Sequence, residues 1–161
     1  MDTPEAKQLI KTLKREDSGL FNIEFTQLKD MVGLASGNFG DVYCAYYKKN
    51  KVAVKKLIDV DDENMHKYLQ REVTSLKSLR HPNIVDFIGL CKHQSGLYMV
   101  TEFVDGGDLR YLLKHKEIDL PWQHRARIAR HVALAMGYLH SKGMIHRDLK
   151  SHNVLVSRFT M

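Results

Sequence analysis

The chain has 161 residues, of which 43% are apolar and 27% charged, so it is long enough for a soluble globular domain with a hydrophobic core. The sequence predicts no membrane-spanning segment and no secretory signal, so we expect a cytoplasmic protein. Its formal charge of +6 comes from basic residues that are mixed with 19 acids, which argues against a nucleic-acid surface.

Residues 1–20 are predicted to form an amphipathic leader helix. Thr3, Pro4 and Glu5 are a helix-start pattern, and the apolar residues that follow are spaced as on one helix face: Ala6, Leu9, Ile10 and Leu13. Such a helix could recruit a protein partner or pack against the domain that follows, and the sequence leaves both alternatives open.

Residues 21–104 are predicted to be rich in β-structure. Between Phe25 and Val54, short apolar runs broken by turn residues indicate a three-stranded antiparallel meander. A helix with an apolar stripe up to Leu79 follows, and two further strands are predicted over 84–90 and 97–104. Cys44 and Cys91 form no Cys-x-x-Cys pair, so neither a zinc site nor a disulfide framework is predicted.

Residues 105–161 are predicted to be mainly helical. Gly106 and Gly107 break the strand pattern, and the residues from Asp108 to Gly143 are helical in pattern, with the main helix from about Trp122 to Lys142. The sequence therefore predicts a β-rich part and an α-rich part that meet near residue 105.

The β-rich part contains a glycine turn, Gly37-Asn38-Phe39-Gly40, between two predicted strands. Glycines allow positive φ and close backbone approach, so the N–H groups of such a turn can converge on a phosphate. A plain hairpin turn explains the two glycines equally well.

A lysine and a glutamate in the same part are predicted to pair. Lys55 ends the alternating strand Val52–Lys55, and Glu72 falls within the apolar stripe of the following helix. Because an unpaired buried carboxylate is costly, Glu72 needs a cationic partner. An ordinary helix-to-sheet salt bridge and a catalytic pair remain equal alternatives from these residues alone.

The α-rich part closes with a polar loop, His146–Asn153. Asp148 can accept a proton, Lys150 can neutralise phosphate charge, and the amide oxygen of Asn153 can bind a divalent cation. Apolar residues interleave with these groups, and we expect them to anchor the loop: Ile145, Leu149, Val154, Leu155 and Val156.

Together these segments resemble a protein kinase. Leu34–Val42 (LASGNFGDV) is similar to the glycine-rich loop of that family, and Val52–Lys55 (VAVK) to its VAIK strand. Glu72 is similar to the partner glutamate, and His146–Asn153 (HRDLKSHN) to the HRDLKxxN catalytic loop. The resemblance covers about residues 23–156. It implies an α+β, protein-kinase-like fold: a five-stranded antiparallel N-lobe with one helix, a hinge near residue 104, and the first helices of a mainly α C-lobe.

The resemblance also implies the catalytic roles. Lys55 would hold the α- and β-phosphates of ATP while pairing with Glu72. Asp148 would receive the proton of the substrate hydroxyl, Lys150 would meet the transferred phosphoryl group, and Asn153 would bind Mg²⁺.

The nucleotide contacts that the resemblance implies come from the glycine-rich loop, the strands, the hinge and the C-lobe. These residues are Leu34, Ala35, Gly37, Asn38, Phe39, Gly40, Val42, Ala53, Lys55, Thr101, Glu102, Val104, Asp108 and Leu155. Thr101 would be the gatekeeper, and Glu102 and Val104 would offer backbone hydrogen bonds to adenine. Asp108 would lie at the ribose, and the adenine would be enclosed by Leu34, Val42, Ala53 and Leu155.

The kinase resemblance extends to a branch and a substrate class. Lys150 is typical of serine/threonine kinases, and Ile23–Phe25 and His81–Val85 are similar to the tyrosine-kinase-like branch that includes the Raf and mixed-lineage kinases. The implied reaction transfers the γ-phosphoryl group of ATP to a protein serine or threonine hydroxyl, in intracellular signalling.

Two departures from the family pattern affect activity. Ala35 replaces the first glycine of the loop, and no Asp-Phe-Gly follows Asn153 within these 161 residues. That aspartate is the main magnesium ligand of the family, so we expect the chain alone to be inactive. The alternatives are a non-catalytic module that binds a partner or interferes with a kinase, and a sequence delimited short of its natural extent.

Overall fold

The computed structural model describes residues 23–37, 40–57, 73, 76–115 and 119–157. These residues fall into two compact units. The first contains the described residues up to Leu79 together with Asp86–Phe103. The second contains Arg80–Val85 and the described residues from Val104 onwards.

The first unit is a six-stranded sheet. Its strands are Ile23–Glu24 (β1), Lys29–Gly37 (β2), Gly40–Tyr47 (β3), Asn50–Leu57 (β4), Phe87–His93 (β5) and Gly96–Glu102 (β6). They are arranged in the order β1-β5-β6-β4-β3-β2. All neighbouring pairs are antiparallel except β1 and β5, which run parallel.

The sixth strand is a difference from the five that the sequence predicts. Ile23 and Glu24 pair with Cys91 and Lys92 of β5, and the Ile23 side chain is buried in the core. A strand of two residues is too short to give a periodicity signal in the sequence. Its position becomes visible only in the structure, through its pairing with β5 and the burial of Ile23. Strand β5 also begins at Phe87, three residues later than predicted.

Each face of the sheet carries its own hydrophobic cluster. One cluster joins the helical residue Val73 to residues of β4, β5 and β6: Leu57, Phe87, Leu90, Leu97 and Met99. The other contains buried residues of all strands but β2: Ile23, Ala45, Tyr47, Val52, Val54, Cys91, Tyr98 and Val100, with Leu28. Alternation along the strands separates the two clusters.

The second unit is built around two helices, Leu109–Lys114 (α1) and Trp122–Ser141 (α2). Its core joins Leu112, Leu120, Ile128 and Val156. Arg80–Val85 attach to α2, because the Arg80 N–H donates to the Tyr138 hydroxyl at 3.2 Å and the rings of His81 and Tyr138 stack with centroids 5.1 Å apart. Helix α2 matches its predicted bounds to within a residue.

Several sequence predictions lie outside the described residues. They include the leader helix of residues 1–20, most of the helix predicted before Leu79 with the position of Glu72, and Asn38 and Phe39 of the glycine turn. Within the described part of the chain, no helix combines the length and the apolar character that crossing a bilayer requires.

Candidate functional site

The glycine turn closes the hairpin of β2 and β3. Gly37 is paired with Gly40, and Gly40 has a φ of 104°, a conformation that side chains with a Cβ rarely adopt. Asn38 and Phe39 lie outside the described residues. A left-handed glycine at this point fits a plain hairpin turn and also a turn that brings backbone N–H groups close to a ligand.

Several predicted nucleotide contacts share one face of the first unit's sheet. Val42 is paired with Lys55 and with Ala35, and Ala53 is paired with Thr101. Directly paired residues project to the same face, and residues two apart on a strand do so as well. The structure therefore places these five side chains together.

Lys55 is half-buried and is also paired with Met99, which belongs to the cluster that contains Val73. The lysine therefore projects to the face that Val73 and Leu76 cover. Its predicted partner, Glu72, is outside the described residues, so the ion pair stays a prediction.

The end of β6 carries backbone groups that the kinase resemblance assigns to hydrogen bonds with adenine. The Glu102 N–H donates to the Asp86 carbonyl at 2.9 Å, while the Glu102 carbonyl accepts from Thr101 Oγ1 at 3.3 Å. The N–H is therefore engaged, whereas the carbonyl keeps a second lone pair for a ligand.

Leu34 of β2, another predicted nucleotide contact, lies at an irregularity of the β2–β3 register and is 53% exposed.

In the second unit, two distant segments pair around Asp108 and Leu155. Asp108 and Leu155 form a β-bridge, flanked by hydrogen bonds of 2.8 Å from Leu109 N–H to the Val154 carbonyl and from Val156 N–H to the Gly107 carbonyl. This pairing places two predicted nucleotide contacts side by side. Val104 of the same unit is half-exposed.

Asp108 also caps helix α1. Its Oδ1 atom accepts a hydrogen bond from the Tyr111 N–H at 2.8 Å, as expected of an aspartate before a helix. The same oxygen lies 3.8 Å from His152 Nδ1, a neighbour that the sequence analysis missed. No local sequence signal could have found it, because the two residues are far apart in the chain.

The polar loop is organised around the carboxylate of Asp148. Lys150 Nζ lies 2.9 Å from Asp148 Oδ2, and Asn153 Nδ2 donates to the same oxygen at 2.9 Å and to the Asp148 carbonyl at 2.8 Å. The Asp148 N–H donates to the His146 carbonyl at 2.9 Å. The structure thus brings all three predicted catalytic-loop residues into contact.

These contacts favour the ionised form of Asp148. The hydrogen bonds from Lys150 and Asn153, assisted by the charges of Lys150 and His146, hold the pKa of Asp148 below its ordinary value, although desolvation opposes them. An ionised carboxylate at neutral pH can accept a hydrogen bond, and then a proton, from an approaching hydroxyl group.

The orientation of the Asn153 amide fits a cation ligand. Both groups facing Nδ2 are acceptors, so the nitrogen must point at Asp148 and the amide oxygen projects the other way. Such an oxygen suits Mg²⁺, which usually takes few protein ligands and completes its shell with water and substrate phosphates. No three His, Cys, Asp or Glu side chains of the described segments group around a common metal position.

Hydrogen bonds fix this loop more than apolar anchors do. Of the five predicted anchors, only Val156 is buried and Val154 is half-buried, whereas Ile145, Leu149 and Leu155 are 72%, 50% and 45% exposed. The expectation that all five anchor the loop is therefore wrong. Arg147 adopts a φ of 64°, a strained conformation of the kind that clusters at functional sites.

Comparison with known proteins identifies a family for this chain. Residues 28–161 match the family model described as protein tyrosine and serine/threonine kinase. The chain is 49% identical over 140 residues to the RasGEF domain-containing serine/threonine-protein kinase X of Dictyostelium discoideum, which covers 87% of this chain and 14% of that protein. It is 46% identical over 142 residues to the Kinase and exchange factor for Rac A of the same organism, covering 87% of this chain and 11% of that protein.

The chain therefore spans only a small part of the length of these relatives. The family match covers well over half of the chain, and it confirms the predicted α+β, protein-kinase-like fold. On these grounds the chain belongs to the protein tyrosine and serine/threonine kinase family.

Proposed function

We propose that the protein transfers the γ-phosphoryl group of ATP to serine or threonine hydroxyls of other proteins. The observation that carries this proposal is the contact of Lys150 and Asn153 with one carboxylate, Asp148. The serine/threonine class follows from Lys150 and from the name of a relative, a serine/threonine-protein kinase. Membership of the kinase family supports ATP as the phosphoryl donor.

The second unit supplies the groups that act on the transferred phosphoryl. Asp148 accepts the hydrogen bond and then the proton of the substrate hydroxyl, and Lys150 neutralises charge on the phosphoryl oxygens. The amide oxygen of Asn153 binds Mg²⁺, which, when bound, draws charge from the phosphate oxygens. Asp108, Val104 and Leu155 are assigned to nucleotide contacts.

The first unit supplies phosphate and base contacts. The backbone between Gly37 and Gly40 covers the phosphates, and Lys55, paired with Glu72, holds the α- and β-phosphates. Support comes from the left-handed Gly40 and from the face that Lys55 shares with other predicted contacts. Those contacts are Leu34, Ala35, Asn38, Phe39, Val42, Ala53, Thr101 and Glu102, of which Ala35, Val42, Ala53 and Thr101 share the Lys55 face.

The remaining parts of the proposal concern place and partners. We assign the protein to the cytoplasm, where ATP is available and where cysteines such as Cys44 and Cys91 remain reduced. Residues 1–20, outside the described part of the chain, are proposed to contact a protein partner.

The test is phosphoryl transfer by the protein expressed from its complete coding sequence, with Mg²⁺, labelled ATP and a generic protein substrate. We expect Asp148→Asn to lower turnover by about 10²–10⁴-fold, because it removes the proton acceptor. Asp119→Asn is the matched control, since Asp119 is an exposed aspartate of the same unit. Phosphoamino-acid analysis should find phosphoserine and phosphothreonine. Equal turnover of the two variants, or phosphotyrosine alone, contradicts the proposal.

A further inference from the structure

A pair of polar side chains stands next to the glycine turn. Ser36 of β2 is paired with Asp41 of β3, and the next pair towards the turn is Gly37 with Gly40. Because glycines carry no side chain, Ser36 and Asp41 form the last side-chain link between the two strands before the turn. Further from the turn, the register is irregular between Gly33 and Ala35.

Ser36 and Asp41 are linked by a short hydrogen bond, and Tyr43 lies beside the same carboxylate. Ser36 Oγ donates to Asp41 Oδ1 at 2.6 Å, and the Tyr43 hydroxyl lies 3.5 Å from the other carboxylate oxygen. Tyr43 packs against the buried cluster that contains Ala45 and Val54. Desolvation and, after it, the charge of Asp41 raise the pKa of Tyr43, which favours the protonated hydroxyl that can donate to Asp41. Tyr43, Asp41 and Ser36 thus connect the buried cluster to the strand ends beside the turn.

Ser36 and Asp41 do not share the face of the nucleotide contacts. Asp41 precedes Val42, which is paired with Lys55, and Tyr43 is paired with Val54 of the opposite cluster. Because neighbours on a strand point to opposite faces, Asp41 and its partner Ser36 project away from Lys55. Any effect of this pair on a nucleotide is therefore transmitted through the backbone of the turn.

We propose that Ser36 and Asp41 are positioning residues that hold Gly37 and Gly40 where their backbone meets the phosphates of ATP. This inference rests on the proposed function. A glycine has more conformational freedom than other residues, and ordering its backbone on binding costs affinity. A cross-strand hydrogen bond next to both glycines orders their backbone before the ligand arrives, which reduces that cost.

The test compares ligands that differ only in their phosphates. Dissociation constants for ATP, ADP and adenosine are measured by calorimetry on the full-length protein with Mg²⁺. Ser36→Ala should weaken ATP binding by about three- to tenfold, the value of one lost hydrogen bond, and leave adenosine binding unchanged. Ser36→Thr, which keeps the hydroxyl, should restore the affinity for ATP. A merely structural role would affect all three ligands alike.

Two further variants separate the hydrogen bond from the charge. Asp41→Asn keeps an acceptor oxygen for Ser36 but removes the negative charge, so it should not reproduce the loss. Combined with Asp41→Ala, Ser36→Ala should cause less additional loss than it does alone, as expected of interacting partners. Ser141→Ala, which removes an exposed hydroxyl from the end of α2, is the control.

The outcomes distinguish this inference from the proposed function. An unaltered protein that binds no ATP overturns both together. A protein that binds ATP normally, but equally well as Ser36→Ala and Ser141→Ala, overturns the positioning role alone. Equal loss of adenosine and ATP binding in Ser36→Ala also overturns it.

Discussion

Lys150 Nζ lies 2.9 Å from Asp148 Oδ2, in a loop where both side chains are about half exposed to solvent. A surface ion pair of this kind contributes little to stability, because water screens it and two side chains must be ordered. Its consequence here is chemical, since it favours the ionised form of Asp148, the proposed proton acceptor, and orients its carboxylate.

Replacing Lys150 should raise the pKa of Asp148. Lys150→Met removes the main hydrogen bond that lowers this pKa, so the carboxylate should titrate closer to the ordinary aspartate value. The measurement is a ¹³C NMR titration of the carboxyl carbon. Lys114→Met, at the exposed end of α1, is the matched control and should leave the titration unchanged.

The same shift has a consequence for acid stability. Because folding lowers the pKa of Asp148, its contribution is present above the unfolded-state pKa and is lost as the pH falls through the folded-state pKa. In the Lys150→Met variant, the free energy of unfolding should therefore depend less on pH in that acidic window. An unchanged Asp148 titration in Lys150→Met contradicts both expectations.

Removing the Asn153 amide should raise the Mg²⁺ concentration that the protein needs for turnover. Asn153→Ala deletes the proposed metal oxygen and both hydrogen bonds to Asp148, so the Mg²⁺ concentration for half-maximal turnover should rise by about 10–100-fold. The measurement is a Mg²⁺ titration of the full-length protein at fixed ATP. Gln123→Ala removes an exposed amide from α2 and should behave as the unaltered protein. Identical Mg²⁺ curves for both variants argue against a metal role for Asn153.

The cap of helix α1 predicts a stability difference between two substitutions of one residue. Asp108→Ala loses the acceptor of the Tyr111 N–H and should lower the free energy of unfolding by about 1 kcal/mol. Asp108→Asn keeps an acceptor and should cost much less. Thermal unfolding followed by circular dichroism tests this, and equal melting temperatures for the two variants would exclude the cap as the cause.

Burial in the sheet predicts a second contrast. Val54 is fully buried, whereas Val32 is 63% exposed. Val54→Ala should therefore lower the free energy of unfolding by about 2 kcal/mol, and Val32→Ala by much less. Urea unfolding of both variants is the measurement. Equal losses would show that packing on this face contributes little.

Local sequence patterns predicted much of the fold and of the candidate site. Helix α2 and most strands follow from periodicity and turn residues, and the contact of Asp148 with Lys150 and Asn153 follows from their closeness in the chain. The apolar anchors failed as a prediction because interleaved hydrophobic residues do not reveal how deeply each is buried, as the exposed Ile145 shows.

The sequence by itself therefore determined the kinase motifs and their order, because each motif is a short run whose chemistry is local. The tertiary structure decided which distant residues meet. It paired Ile23 with Cys91 and Asp108 with Leu155, and it brought His152 to the cap of α1. It also set Ser36 beside Asp41 on the sheet face opposite Lys55. Which distant segments pair, and how deeply each side chain is buried, depend on the packing of the whole unit, so a short sequence pattern does not encode them.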